Sequence, residues 1–590
     1  MRDSFRALRL VVATTLRADP RRAVAVLLLE PASAAVQPLF ALWLKLLADG
    51  ALGHDAGLVA TGAGALACSM ALLWLVGGAG TRMRVTLTER VGFTFDRRIA
   101  EISATLPTLE HHERADYQDR LAMLREQQGV LGNTVNTVVQ TVRVVVPAAV
   151  TLTLLVTLHP SLVLLPAFAV PSLLVALRSQ RWQRDAEERA APGRRLSGHL
   201  YELTLHAGPA KELRVFRLRD EVARRHRAAW LEGHRIRAAA QWRTALWSSL
   251  ASVVFAAGFA AAVALVVQRA VRGNATPGDV LLAIGLARQV NTAAAQTVFS
   301  VSSLQQSLRA AGRLLWLVDH ARAQARPAAV AVPPAVLRGG IELDGVSFRY
   351  PGTAAWVLRD VSFRLEPGSV VALVGENGAG KTSLVKLLLG LYEPTEGRIL
   401  VDGTDLRDID PGAWRARTAA AFQDFTRLEL RADEVVGVGD LEHLTDAGAV
   451  VDALARAGAS DVVAGLPRGL HTQLGRSWPG GTDLSTGQWQ KLAVARALMR
   501  QSPLVLALDE PTASLDATTE HRLFERYVHA ARGGAGVTLL VSHRFSTVRA
   551  ADEILVLDGG RVVQRGPHRD LVTSNGVYAE LYELQAASYR

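Results

Sequence analysis

The sequence predicts two fold classes in one chain, an α-helical membrane domain in the first half and an α/β domain in the second. Three observations carry this. Hydrophobic residues make up 49% of the 590, and the mean hydropathy of +0.17 is high for a soluble protein. Long segments without Asp, Glu, Lys or Arg punctuate the first half. In the second half, "SVVALVGENGAGKTSLVKLLLG" places an apolar strand, a glycine-rich turn and helical spacing in direct succession.

The membrane elements follow from the uncharged segments. Ala56 to Thr81 and Thr244 to Gln268 each match one helix of about 20 residues, the length that crosses a bilayer. Val144 to Leu177 reads as a hairpin turning near His159-Pro160-Ser161. Ala23 to Leu47, with Glu30 and Lys45, and Asp279 to Leu308, with Arg288, complete a set of six transmembrane helices. Arg2, Arg6, Arg9, Arg17, Arg21 and Arg22 precede the first helix and "ADGALGHD" after it has no cation, so the amino terminus is expected inside. Glu30-Pro31 interrupts the first apolar run, which argues against a signal peptide. Phe5, Leu8, Val12 and Leu16 recur at helical spacing among the arginines, the pattern of a helix lying on the inner leaflet.

Between these helices, Arg82 to Arg143 and Arg178 to Arg243 are polar, helix-favouring and more than 60 residues long. Each predicts a cytoplasmic extension of two helices, about 45 Å long at 1.5 Å per residue. The tips fall near His112 and Ala210.

Composition excludes other functions. The 66 Lys and Arg exceed the 55 Asp and Glu, but few are Lys, which reads as a GC-rich genome and not a nucleic-acid partner. Cys68 is the sole cysteine, so neither an intrachain disulfide nor a thiolate metal cluster is available.

A Pro- and Ala-rich linker, residues 319–338, separates the membrane domain, 1–318, from the second domain, 339–590. There the glycine-rich turn is a P-loop in its strand and helix context. Backbone N–H groups around Gly375, Asn377, Gly378 and Gly380 close on phosphates, with Ser383 in the same turn. Lys381 reaches the β and γ oxygens, and Thr382 is placed for Mg²⁺. "PLVLALDEP" is an apolar strand ending in Asp509, suited to the metal side, and Glu510, suited to polarise an attacking water. The domain is therefore an α/β P-loop ATPase domain.

Between these motifs, Leu484-Ser485-Thr486-Gly487-Gln488 resembles the signature of ATP-binding cassette proteins. The resemblance implies that Tyr350 stacks on adenine, that Gln423 senses Mg²⁺ and contacts the membrane domain, that Asp516 couples two ATP sites and that His543 holds the γ-phosphate. It further implies that Ser485, Gly487 and Gln488 contact ATP across a dimer. Thr486 stands where the family usually has Gly, and "LGRSWPGGTD" is longer than the usual exporter pattern and lacks its Glu.

Over nearly the whole chain the order of domains resembles the half-size ABC exporters. The resemblance implies ATP and Mg²⁺ as cofactors, arm tips seated on the ATPase domains, and a second half-transporter, expected to be an identical chain, as partner. It places the protein in the inner membrane, moving a small molecule, peptide or lipid outward by alternating access. A lipid flippase and a membrane ATPase that gates without pumping are the alternatives. For the pathway, the expected residues are Arg288, Gln289, Asn291, Thr292, Gln296, Thr297 and Ser300, too polar a set for a lipid-facing surface. Glu30 is expected to face the inner cavity, binding cationic cargo or pairing with Arg143.

Overall fold

The computed structural model describes residues 2–114, 117–118, 120–121, 124, 128–324, 331–511, 535–542 and 544–588. The chain divides into two compact units, Met1–Ala104 with Leu121–Asp319, and Thr105–Arg120 with His320–Arg590.

The first unit is helical. An amphipathic helix, Arg2–Ala18, precedes the long helices Pro20–Leu52, Ala56–Thr105, Thr134–Leu158, Leu165–Leu205, Arg219–Val271 and Pro277–Gln324. Among the described residues, five helices are long and apolar enough to cross a membrane. The last of the series, Pro277–Gln324, is 48 residues long but falls outside that apolar set, diluted by the polar run that begins at Arg288. In Ala56–Thr105 only 6% of the apolar window is buried, and Trp74 and Leu75 are 78% and 73% exposed. That is the expected surface of a helix whose solvent is lipid.

Helix ends are set by local chemistry. Asp19 caps Pro20–Leu52, its carboxylate accepting from the Arg22 N–H at 3.1 Å and from the Arg90 guanidinium at 2.9 Å. The expected hairpin turns where His159 Nδ1 accepts from the Ser161 N–H at 3.2 Å. Lys45 pairs with Asp279 at 2.5 Å, and Asp49 accepts from the Gly278 N–H at 2.9 Å, which ties the first long helix to the last.

The extensions continue the same helices without a break, so helix ends lie far outside the apolar windows. Ala56–Thr105 runs for 50 residues and Arg219–Val271 for 53. Within the second extension, small residues let the two helices approach: a Cβ on Gly193 would lie 3.0 Å from the Ala229 carbonyl oxygen. Short helices stand at both expected tips, Glu110–Glu113 around His112 and Ala207–Val215 around Ala210.

The second unit contains two sheets. In the first, β2 (Leu358–Leu365), β1 (Ile341–Phe348), β4 (Glu396–Val401) and β5 (Thr404–Asp405) pair antiparallel in that order. The larger sheet runs β10 (Arg561–Gly566), β9 (Glu553–Asp558), β3 (Val370–Val374), β8 (Val537–Val541), β7 (Val505–Asp509), β6 (Thr418–Ala421). All its pairings are parallel except β9 with β10. β3, β7 and β8 are buried along their whole length, which explains their continuous apolar runs.

The stretch expected as a linker is partly structured. The preceding helix continues to Gln324, and Asp402 accepts from the N–H groups of Arg338, Gly339 and Gly340 at 2.7–3.1 Å. Residues 338–340 are thereby fixed to the smaller sheet.

Candidate functional site

The site lies beyond the carboxyl ends of the parallel strands, where ligands of open α/β sheets bind. β3 delivers the chain into Gly375–Gly380, and the helix Lys381–Leu388 follows. Two glycines are required sterically. Gly380 has φ +102° and a Cβ there would lie 2.7 Å from Leu358 Cδ2, while one on Gly375 would lie 2.1 Å from the Leu557 carbonyl oxygen. Asn377 and Gly378 are exposed at the crest of the loop.

Lys381 is buried, and its Nζ donates to the carbonyl oxygens of Gly375 at 2.8 Å and Glu376 at 2.9 Å. Burial holds its pKa below the usual lysine value, opposed by the Glu510 and Asp509 carboxylates. The ammonium thus sits inside its own loop, where phosphate oxygens can replace the two carbonyls. Thr382 donates its hydroxyl to Asp509 at 3.0 Å. Asp509 is 3% exposed, and burial lifts its pKa above the usual carboxylate range, with the Thr382 hydroxyl pulling it down and Glu510 pushing it up. A divalent cation would offset the cost of ionising that buried carboxylate. The Thr382 hydroxyl and Asp509 carboxylate are hard oxygen donors of the kind Mg²⁺ takes alongside phosphate oxygens.

Glu510 ends the apolar strand with φ +47°, a left-handed conformation uncommon outside glycine. Gln423 donates its amide to Glu510 Oε2 at 2.8 Å, and Gln490 donates to the Glu510 carbonyl at 2.9 Å. Sequence reasoning did not single out Gln490. Its position in "GQWQKLA" carries no signal, because its partner is a backbone atom of another element.

The signature residues form a separate group. Ser485 caps the helix Thr486–Ala497 through a capping box: its N–H donates to Gln488 Oε1 at 2.9 Å and its Oγ accepts the Gln488 N–H at 3.3 Å. The Gln488 side chain is therefore engaged in the cap, while Ser485 and Gly487 open the first helical turn. Thr486, at the position usually held by Gly, accepts from Arg427 at 3.2 Å. The preceding long loop closes on itself, the Gly475 N–H donating to the Thr482 carbonyl at 3.0 Å. Asp516 and His543 lie outside the described residues.

Tyr350 is half-buried at the end of β1, its hydroxyl 2.9 Å from Ser383 Oγ. Its ring meets Phe348 and Tyr392 edge-on, with centroids at 5.0 and 5.5 Å. It borders a cavity of about 920 Å³.

In the helical unit, Glu30 is 5% exposed. It pairs with Arg143 at 3.4 Å, as one expectation had it, and also with Arg84 at 3.2 Å. A Cβ on Gly80 would lie 3.3 Å from Glu30 Oε1, so glycine leaves room for the carboxylate. With two guanidiniums on one carboxylate, the cluster is net cationic. Among the polar residues of Pro277–Gln324, Arg288, Asn291 and Gln296 are exposed, Gln289 is half-buried and Ser300 is 4% exposed. The hydroxyls of Thr292 and Thr297 bond the carbonyls four residues back, at 3.1 and 2.7 Å. Thr297 lines a cavity of about 270 Å³ together with Thr151, Leu155, Pro166 and Val290.

The family model for the ABC transporter matches residues 358–513, which include the P-loop, the signature and Glu510. A solved bacterial Atm1-family ABC exporter with ATP bound superposes with a TM-score of 0.69 and 26% identity, covering 97% of this chain and 98% of that one. The chain has the architecture of the half-size ABC exporters. Among curated relatives, an ATP-dependent lipid A-core flippase of Bordetella avium is 35% identical over 336 residues, 57% of this chain and 55% of that protein. One of Cupriavidus metallidurans is 41% identical over 290 residues, 48% of this chain and 47% of that protein. The matched stretch thus spans about half the length of these relatives. The helical part is that of a multi-pass membrane protein, and the second unit is an ABC transporter ATPase domain.

Proposed function

We propose that this chain is one half of an ATP-driven exporter of the bacterial inner membrane, working as a homodimer with two competent ATP sites. The observation that carries the reading is the convergence of Lys381, Thr382, Asp509, Gln423 and Glu510 at one end of the parallel sheet, in a chain that also has five apolar helices of membrane length.

In this reading the P-loop amides and Lys381 bind the phosphates, and Tyr350 stacks on the base. Mg²⁺, when bound, neutralises charge on the phosphate oxygens. Thr382 and Asp509 would hold it. Glu510 orients a water and takes its proton, while Gln423 and Gln490 fix the carboxylate and its backbone. Ser485 and Gly487 complete the site of the opposite copy. Asp516 and His543 keep the roles the resemblance assigned them, coupling the sites and holding the γ-phosphate. Two copies close on ATP, and the arms carry that closure to the membrane helices. The γ-phosphate supplies the differential binding that shifts the equilibrium.

For the cargo, a lipid with an anionic headgroup is the reading we favour over a cationic one. Glu30 is already neutralised by Arg84 and Arg143, and the relatives carry the name flippase. Arg288, Gln289, Thr292 and Gln296 remain the proposed polar lining. The test is ATP-dependent movement of a fluorescent acidic lipid, a zwitterionic lipid and a cationic peptide in proteoliposomes, with Glu510→Gln as control. Glu510→Gln is expected to keep ATP binding and lose hydrolysis by about 10²–10⁴-fold, the range for a general base. Export that persists in the variant, or ATPase activity with no cargo moved, would leave the gating alternative in its place.

A further inference from the structure

The tip of the first arm belongs to the same compact unit as the ATPase fold. Its backbone is joined there, the Leu109 N–H donating to the Leu391 carbonyl at 3.2 Å and Arg415 donating to the Pro107 carbonyl at 2.9 Å. Those contacts join the tip to the ATPase fold independently of Glu113. Glu113 does something more specific. One carboxylate oxygen accepts from Lys386 Nζ at 2.8 Å and the other from the Tyr392 hydroxyl.

Both donors are partners of Tyr350. The Lys386 ammonium lies 5.5 Å from the Tyr350 ring centroid and 5.8 Å from that of Tyr392. Tyr392 meets Tyr350 edge-on at 89°. Burial, then the Glu113 carboxylate, raises the Tyr392 pKa far above the usual phenol range, so the phenol keeps its proton and donates. Lys386 stands in the helix that begins at the P-loop lysine, so its backbone is fixed by the phosphate site. Glu113 is itself 38% exposed, so as an ion pair alone its contact with Lys386 would contribute little. Here the carboxylate fixes two groups that define the position of a third.

The cavity beside Tyr350 has the arm as one wall: Pro107, Thr108 and Glu110 line it together with Arg349, Tyr350 and Tyr392. A planar base seated on Tyr350 would therefore lie against the arm tip. We propose that Glu113 is a positioning residue for base recognition: through Lys386 and Tyr392 it holds Tyr350 in place, so that the first arm both sets the affinity for the base and responds to its arrival. This rests on the reading of Tyr350 as the base-stacking residue.

The experiment uses the full chain in detergent or nanodiscs and compares Mg-ATP with ribose 5-triphosphate, which has the phosphates and sugar but no base. Glu113→Ala is expected to raise KM for ATP about three- to tenfold, the size of a lost cation–π contact. It should leave kcat within about twofold and the inhibition constant of ribose 5-triphosphate unchanged. Glu113→Asp should recover part of the loss. Equal weakening of both ligands in Glu113→Ala would overturn the proposal, because it would mean only a damaged dock. So would an unchanged KM. Tyr350→Ala separates the underlying reading: if it keeps the preference for ATP over the base-free triphosphate, Tyr350 does not bind the base and the proposal falls with that reading. If Tyr350→Ala abolishes the preference and Glu113→Ala does not, only the role of Glu113 is lost.

Discussion

In the proposed reading Lys381 is a single side chain held ready for phosphate. It is buried among backbone carbonyls that it would exchange for phosphate oxygens, and burial lowers its pKa. Lys381→Ala is expected to remove most nucleotide affinity together with ATPase activity, whereas Glu510→Gln removes hydrolysis alone. Isothermal titration with Mg-ATP on both variants checks this, and full affinity in Lys381→Ala would place the phosphates elsewhere. In the proposed reading the two effects differ because Lys381 binds ground-state charge and Glu510 acts on the attacking water.

Between elements, two contacts make distinct statements about stability. Glu30 joins three helices, Pro20–Leu52, Ala56–Thr105 and Thr134–Leu158, through Arg84 and Arg143. Glu30→Gln should cost on the order of 1–3 kcal/mol, because it leaves the part-buried Arg84 guanidinium without its counter-charge, the exposure of Arg84 and Arg143 lowering the figure. A thermal melt of the purified protein measures it, and Glu30→Gln combined with Arg84→Met should recover part of the loss. In the ATPase unit, His568 Nδ1 lies 2.7 Å from the Tyr578 hydroxyl, and its ring packs against Tyr578 and Tyr582. Burial, reinforced by Arg549, holds the imidazole below its ordinary value of 6.5. The unfolded chain therefore binds a proton that the folded one refuses. The contribution of His568 is complete above 6.5 and is lost as pH falls from there toward the folded value. His568→Gln should flatten the dependence of melting temperature on pH between about 7 and 5. An unchanged slope would show that other groups set it.

At the level of the assembly, the second arm tip carries large apolar side chains. Leu205, Val215 and Phe216 there are 63%, 75% and 65% exposed. Exposed large apolar groups outside the membrane segments are candidates for a contact surface, and under the proposed homodimer the expected occupant is an ATPase unit. Phe216→Asp is expected to lower ATPase activity several-fold without shifting the melting temperature, and to reduce the ATP-trapped dimer of Glu510→Gln on size exclusion. Unchanged trapping would remove the second arm from the interface.

What could be read from the sequence was whatever is local or periodic. The apolar windows mark membrane helices because bilayer thickness fixes their length. The P-loop is legible because strand, glycines, lysine and helix are adjacent in the chain, and the two arm tips because each lies at the middle of a polar excursion. Bounds were less legible: no breaker separates membrane helix from arm, so Ala56–Thr105 continues far past Thr81. Tertiary structure alone decided the rest. Arg84 as a second partner of Glu30, Gln490 on the Glu510 carbonyl, and Glu113 on Lys386 and Tyr392 join residues from separate elements. Such pairings leave no spacing or periodicity behind, because they depend on how the elements pack and on the cost of burying a polar group without a partner.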